Sequence, residues 1–218
     1  MSAYRSDVGL EARSRMVETQ IAARGVADER VLAAMRAVPR ELFAPRGGGI
    51  DAFGDGPLPI GHGATLSQPY IVALMTELAR PQPRDRALDI GAGSGYQSAV
   101  LARLCASVDA VEIVPELCEL ARRNLAAAGV TRVTLHCRDG RFGLPDAAPF
   151  DVIIVAAAPE EVPSALIEQL APGGRMVIPI GPALLGWADA QELLLVEKRA
   201  DGSVLRRSVC GVRVVPLV

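Results

Sequence analysis

The densest chemical signal lies at Leu88-Asp89-Ile90-Gly91-Ala92-Gly93-Ser94-Gly95-Tyr96. Three glycines alternate between an apolar strand-like run and a helix-like run. Glycine lets the chain turn tightly and lets a ligand approach the backbone. Glu112 follows 21 residues after Gly91 at the end of the next strand-like run. An acid there can accept hydrogen bonds from both ribose hydroxyls of a nucleotide. A dinucleotide fingerprint wants glycine at the sixth place of its motif, and here that place is Tyr96. G-x-G-x-G with an acid just before it suits S-adenosyl-L-methionine better, because that molecule has no pyrophosphate to cradle. Asp139-Gly140, after the third strand-like run, adds an acid that could meet the adenine amino group. An ordinary strand-to-helix turn with a solvated Glu112 is the plainer explanation. Three coordinated features at α/β spacing weigh against it.

Other residues carry less. Ser67 stands directly before QPYIVALMTELA, where a serine is most often a helix N-cap. His62 sits in a Gly/Pro-rich stretch, and His136 lies in a strand-like run where packing is the expected role. Trp187 reads as a surface or lid aromatic. Cys105, Cys118, Cys137 and Cys210 lack zinc-ligand spacing, so no metal is expected. They read as buried thiols in a reducing compartment.

These residues need elements to place them. Residues 9–24 have helical spacing, with Leu10, Val17 and Ile21 on one face and Gly25 as the stop. Asp28 caps a second helix, whose stripe is Val31, Leu32, Met35 and Val38 and whose end is Pro39. Residues 44–66 read as loop from their glycine and proline content, and 53–66 as a candidate lid. The helix after Ser67 carries Ile71, Met75 and Leu78 along one side. From Arg86 onward strands alternate with helices: RALDIG, YQSAVLARLC, VDAVEI, PELCELARRNLAAAG, RVTLHC, FDVIIVA, EEVPSALIEQL and RMVIPIG. That order implies a mostly parallel, doubly wound sheet covered on both faces. QELLLVEK and SVLRRSV, joined through Asp201-Gly202, predict a C-terminal antiparallel hairpin. The reading is therefore a Rossmann-like α/β fold, with an N-terminal helical arm over 1–80 and an α/β core over 81–218.

The chain has 218 residues, half of them apolar and 22% charged, which is ample for a core and excludes general disorder. A net charge of −2 argues against nucleic acid as a partner. No apolar run reaches the ~18–20 residues of a membrane span. The start lacks the apolar segment of a secretory signal, so a cytoplasmic location is expected; a monomer is the expected state, although the sequence itself does not give it.

Several stretches together resemble the protein-L-isoaspartate O-methyltransferase family. They are VPRELFAP (38–45), PLPIGHGATLSQPYIVALM (57–75), LDIGAGSGYQSAVLA (88–102), VEI (111–113), DGRFGLPDAAPFDVIIV (139–155), QLAPGGRMVIPIGP (169–182) and VVPL (214–217). The resemblance implies a class I methyltransferase fold and S-adenosyl-L-methionine as methyl donor. It implies methylation of the α-carboxylate of L-isoaspartyl residues in damaged proteins and peptides, followed by succinimide formation. Carried over by position, Ser67 is the active-site serine. Ile60, Gly61, His62, Gly63, Asp89, Gly91, Ala92, Gly93, Gly95, Tyr96, Glu112, Ile113, Asp139 and Gly140 fall to the donor. Thr65, Leu66, Ser67, Pro179, Val214 and Val215 fall to the peptide. Phe53, Arg138 and Val214 depart from common family choices and bear on peptide preference. A related enzyme acting on aspartate of a biosynthetic peptide, a nicotinamide-dependent oxidoreductase and a silent binding module are the competing readings.

Overall fold

The structure, a computed structural model, describes residues 2–45, 51–182 and 191–217. The arm begins with helix α1 (Ser2–Met16), which runs on through a wider turn at Val17–Ile21 and a tight one at Ala22–Arg24. Gly25 ends it with φ 97°, a left-handed conformation that disfavours side chains. Met16, Val17 and Ile21 are buried, but Leu10 is half exposed, so it does not share their face. Helix α2 (Glu29–Ala37) starts as expected, with the Asp28 carboxylate accepting the Arg30 amide at 2.8 Å. Val31, Leu32, Met35 and Val38 are all buried.

The stretch expected to be loop holds a small hairpin. Strand β1 (Leu58–Gly61) pairs antiparallel with β2 (Ala64–Leu66). The two residues between them, His62 and Gly63, both have positive φ (53° and 74°). Such a pair matches the twist of the strands it joins. Helix α3 (Pro69–Ala79) follows, with proline in its first turn. Its buried side is Val72, Met75, Thr76 and Ala79, while Ile71 and Leu78 are only partly covered.

The core alternates as expected. Strands β3 (Arg86–Ile90), β4 (Ser107–Glu112), β5 (Val133–Cys137), β6 (Phe150–Val155) and β7 (Leu170–Ile180) run parallel. Helices α4 (Tyr96–Leu101), α5 (Pro115–Ala127) and α6 (Ser164–Gln169) are their companions. Strand β8 (Gln191–Lys198) pairs antiparallel with β7 and with β9 (Val204–Val212), which gives the C-terminal hairpin. The sheet order is β5-β4-β3-β6-β7-β8-β9. The chain steps outward from β3 to β5 and returns to the other side of β3. The carboxyl ends of β3 and β6 therefore flank a switch point, where open α/β sheets bind ligands. One apolar cluster runs from α1, α2 and α3 into β6 and β7, so the arm is packed against the core.

The cysteine reading needs correction. Cys118 and Cys137 form a disulfide, with Cα atoms 5.9 Å apart, and Cys137 is exposed. Register explains the meeting. Cys137 is paired beside Glu112, and Cys118 sits in the helix that turns back directly after Glu112. Cys105 is buried and Cys210 half-buried, both free. Trp187 lies outside the described residues. No helix among the described residues is long and apolar enough to cross a membrane.

Candidate active site

The glycine turn connects β3 to α4 with Gly91, Gly93 and Gly95 all at positive φ. Glu112 ends the neighbouring strand, and its carboxylate is built into the turn. Oε2 accepts the Gly93 amide at 2.8 Å, and Oε1 accepts the Val114 amide at 2.9 Å. Each carboxylate oxygen has two lone pairs, so acceptor capacity remains for a ligand hydroxyl. Glu112 is 6% exposed and lines a cavity of about 280 Å³.

That cavity opens at the carboxyl ends of the strands. One wall is His62, Gly63, Thr65, Leu66 and Ser67, from the small hairpin and the residues after it. The facing wall is Gly91, Ala92, Gly93, Tyr96, Glu112, Ile113 and Gly140. Val215 closes it from the C-terminal segment. That segment is pinned beside the end of β6: the Ala158 amide donates to the Val215 carbonyl and the Leu217 amide to the Ala158 carbonyl, each at 2.8 Å. The Gln191 side chain, 1% exposed, accepts the Val214 amide at 2.7 Å.

Seven expected residues lie off the cavity wall. Ile60 stands behind the turn, and a Cβ at Gly93 would meet its Cδ1 at 3.2 Å. Gly61 is exposed at the hairpin end. Gly95 serves helix packing, since a Cβ there would meet Leu125 at 3.2 Å. Pro179 is buried in β7, and Val214 is tied to Gln191. Asp139 is bound by Arg141, Oδ2 to Nη2 at 2.8 Å, and this partner holds its carboxyl below the usual carboxylate range.

Asp89 is wholly buried at the end of β3. The Ser98 hydroxyl donates to its Oδ2 at 2.5 Å, and its Oδ1 has no partner among the described residues. Burial pushes its pKa up to about 7; the Ser98 hydrogen bond opposes this, and the charge on Glu112 adds to it.

Ser67 lies on the cavity wall, but it is not a cap. The N-cap position of α3 belongs to Gln68, which makes no side-chain capping bond. The Ser67 carbonyl accepts Arg40 Nη2 at 2.9 Å. His136 is half-buried, with Nε2 2.8 Å from Asp109 Oδ1.

The structure adds residues that motif spacing did not reveal. Ser94, inside the glycine motif, lines the cavity with a buried hydroxyl that has no partner among the described residues. Gln97 lines it too, and its amide donates to the Thr76 hydroxyl at 2.9 Å, tying α4 to α3. Ala156 and Ala157, just past β6, complete the floor. Asn124, the chain's single asparagine, reaches from α5 to the Ser94 carbonyl at 3.0 Å. The sequence offered only Ser94's place inside the glycine motif and Asn124's being the single asparagine as signals.

The sequence pattern of the family described as protein-L-isoaspartate(D-aspartate) O-methyltransferase matches residues 11–218. A protein-L-isoaspartate O-methyltransferase of Methanoregula boonei is 52% identical over 209 residues, covering 95% of this chain and 93% of its own. One from Methylorubrum extorquens is 52% identical over 208 residues, covering 95% and 89%. A solved protein-L-isoaspartate O-methyltransferase superposes with a TM-score of 0.81 at 30% identity, covering 94% of this chain and 65% of that one. A Plasmodium falciparum protein solved in complex with S-adenosyl-L-homocysteine shares the fold, with a TM-score of 0.80 at 23% identity over 94% and 98% of the two chains. The family pattern runs through both the glycine turn and the Ser67 wall of one cavity, and the chain belongs to the protein-L-isoaspartate(D-aspartate) O-methyltransferase family.

Proposed function

We propose that this enzyme uses S-adenosyl-L-methionine to methylate the α-carboxylate of L-isoaspartyl residues in damaged proteins and peptides, initiating repair through a succinimide. The observation that carries the reading is that one cavity joins the Glu112–glycine turn to the Ser67 wall. A donor and a carboxylate can therefore meet there.

The donor fits the residues present. A Cβ at Gly140 would lie 2.7 Å from Ile90 Cγ2, so the floor of the cradle has no room for a side chain. Glu112 keeps lone pairs for ribose hydroxyls, and Ser94 keeps a buried hydroxyl. When bound, S-adenosyl-L-methionine supplies an electrophilic methyl group on a sulfonium. The remaining work belongs to the chain. An α-carboxylate has a pKa of about 3.3–3.7 and is already ionised at neutral pH, so no general base is required. No cluster of three or more His, Cys, Asp or Glu suited to a metal occurs among the described residues. Methyl transfer from a cation to an anion consumes charge, and a dry cavity favours that change. Leu66, Val72, Met75, Ile90, Ala156 and Leu117 give this cavity an apolar lining. Ser67 offers a hydroxyl not spent on capping, and Thr65, Leu66 and Val215 offer backbone groups to register a peptide on either side of its carboxylate. Placement is then the main catalytic contribution.

In this reading the enzyme is a cytoplasmic monomer whose partners are isoaspartyl-containing proteins. The net charge of −2 supports the exclusion of nucleic acid. The test uses labelled donor and paired peptides carrying L-isoaspartate or L-aspartate at one position. The isoaspartyl peptide should be methylated and the aspartyl peptide should not. Recognition of a single methylene by apolar contact gives only ~10–200-fold selectivity, so a larger ratio requires backbone register. Equal methylation of both peptides would overturn the reading in favour of an aspartate in a biosynthetic peptide.

A further inference from the structure

Arg40 lies outside the cavity wall, yet it is the largest wholly buried polar side chain among the described residues, at 0% exposure. Its neighbours are specific. Nε donates to the Ala52 carbonyl at 2.8 Å, and Nη2 donates to the Ser67 carbonyl at 2.9 Å. The guanidinium carbon sits 4.9 Å from the centre of the Tyr96 ring. Among the described residues no carboxylate pairs with it, and its Nη1 has no partner. Burial accordingly holds it below the ordinary arginine range and pushes the Tyr96 hydroxyl up to about 12.

A buried cation without a carboxylate is a costly packing element, and an apolar side chain of similar volume would fill the space more favourably. The three groups it contacts explain its presence. Ala52 precedes the small hairpin, Ser67 follows it, and Tyr96 opens the helix after the glycine turn. Neither carbonyl has another donor among the described residues. Only a planar fork can donate in two directions while stacking on a ring, which lysine cannot reproduce.

We propose that Arg40 is a positioning residue for methyl transfer: it fastens both ends of the hairpin segment, through Ala52 and Ser67, to Tyr96, so that the Ser67 wall and the glycine turn keep one spacing. With the Ser67 carbonyl held from behind, its hydroxyl and amide are left to the cavity. The inference rests on the isoaspartyl methyltransferase reading and deepens it.

The test compares wild type, Arg40→Lys, Arg40→Gln, Ser67→Ala and the double variant Ser67→Ala/Arg40→Lys. Rates are expressed per donor site, titrated with S-adenosyl-L-homocysteine, so that unfolded molecules do not count. Arg40→Lys should retain donor affinity within about threefold and lose ~10–100-fold in kcat on an isoaspartyl peptide, the scale of a misplacement of about 1 Å. Arg40→Gln should behave likewise. The double variant should be little slower than the slower of the two single variants, because the arginine acts through the placement of the Ser67 wall. A purely structural arginine would lower thermal stability and multiply with Ser67→Ala. Wild-type kcat in Arg40→Lys, a multiplicative loss in the double variant, or loss of all donor sites in both Arg40 variants would each overturn the proposal. A wild-type enzyme inactive on isoaspartyl peptide would instead overturn the functional reading on which it rests.

Discussion

Glu112 and Gly93, 19 residues apart, are joined by a 2.8 Å hydrogen bond from the glycine amide to Oε2 of the carboxylate. The other oxygen of Glu112 accepts the Val114 amide, so one side chain shapes the turns at the carboxyl ends of both β3 and β4. This geometry makes Glu112→Gln a sharp probe. Glutamine must turn its NH₂ toward one of two backbone N–H groups, which loses one bond and sets donor against donor. We predict that Glu112→Gln weakens S-adenosyl-L-homocysteine binding about as much as Glu112→Ala. The expected loss is about 1.5–3 kcal/mol, the value of a hydrogen bond to a charged group. Calorimetric titration checks this. An unchanged Kd in either variant would remove Glu112 from the donor site.

Asp89 predicts an inverted pH dependence. Its folded pKa is raised to about 7, above the unfolded carboxylate value. The folded state therefore holds a proton that the unfolded state has released between about pH 4 and 7. Stability from this site is fully present below the unfolded pKa and is lost as pH rises through the folded value. Over that window the contribution is on the order of a few kcal/mol. Asparagine cannot titrate and can still meet the Ser98 hydroxyl. Asp89→Asn should thus gain thermal stability relative to wild type between pH 5 and 8, measured without donor. Parallel melting curves across that range would show that Asp89 is ionised throughout.

Gly140 tests the floor of the cavity through space rather than conformation, since its φ is not in the left-handed region. A methyl group there would sit 2.7 Å from Ile90 Cγ2, and Ile90 belongs to a strand packed on both sides. Gly140→Ala should force one of the two into the cavity. Overpacking of this kind costs about 1–3 kcal/mol. A lower melting temperature and a weaker donor Kd are expected together. Wild-type donor affinity would place the adenosyl group away from this floor.

What the sequence disclosed follows from which forces leave local traces. Buried parallel strands must be apolar on both faces, so the end of β6 over residues 152–155 and the end of β7 over residues 176–180 stand out as continuous apolar runs, with β3 and β4 legible from their place in the alternation. Gly91, Gly93 and Gly95 announce a turn because their spacing has few other uses. The β1–β2 hairpin left no such trace: its strands have four and three residues, include Pro59 and Gly61, and turn on His62-Gly63 rather than Asn-Gly or Asp-Gly. The disulfide was hidden because its spacing of 19 residues acquires meaning only from the pairing of Glu112 with Cys137. Arg40 was hidden for a similar reason. Nothing near it in sequence tells that its guanidinium reaches a carbonyl 27 positions away. Asp139 shows the opposite case: its position after β5 pointed to a ligand, but the adjacent Arg141 engages the carboxylate.

Ser67 separates a structural role from a chemical one. Its place before α3 suggested a cap, and replacing a capping serine by alanine typically costs about 1 kcal/mol. For a chain of this size that would lower the melting temperature by roughly 2–4 °C. The structure gives the N-cap position to Gln68 and puts Ser67 on the cavity wall, held only through its carbonyl by Arg40. Removing the hydroxyl leaves that carbonyl bond intact. Ser67→Ala should therefore melt within about 1 °C of wild type, well inside the shift expected for a lost cap. Its donor affinity should be unchanged, because the hydroxyl is not needed to form the Glu112–Gly93 turn. Its kcat/KM on an isoaspartyl peptide should fall by ~10-fold or more, the loss of one charge-assisted hydrogen bond to the substrate carboxylate. Melting, calorimetric titration with S-adenosyl-L-homocysteine and steady-state kinetics on the same preparation separate the two roles. A drop of 3 °C with intact turnover would restore the cap, and a drop in donor affinity alone would move Ser67 to the donor's side of the cavity.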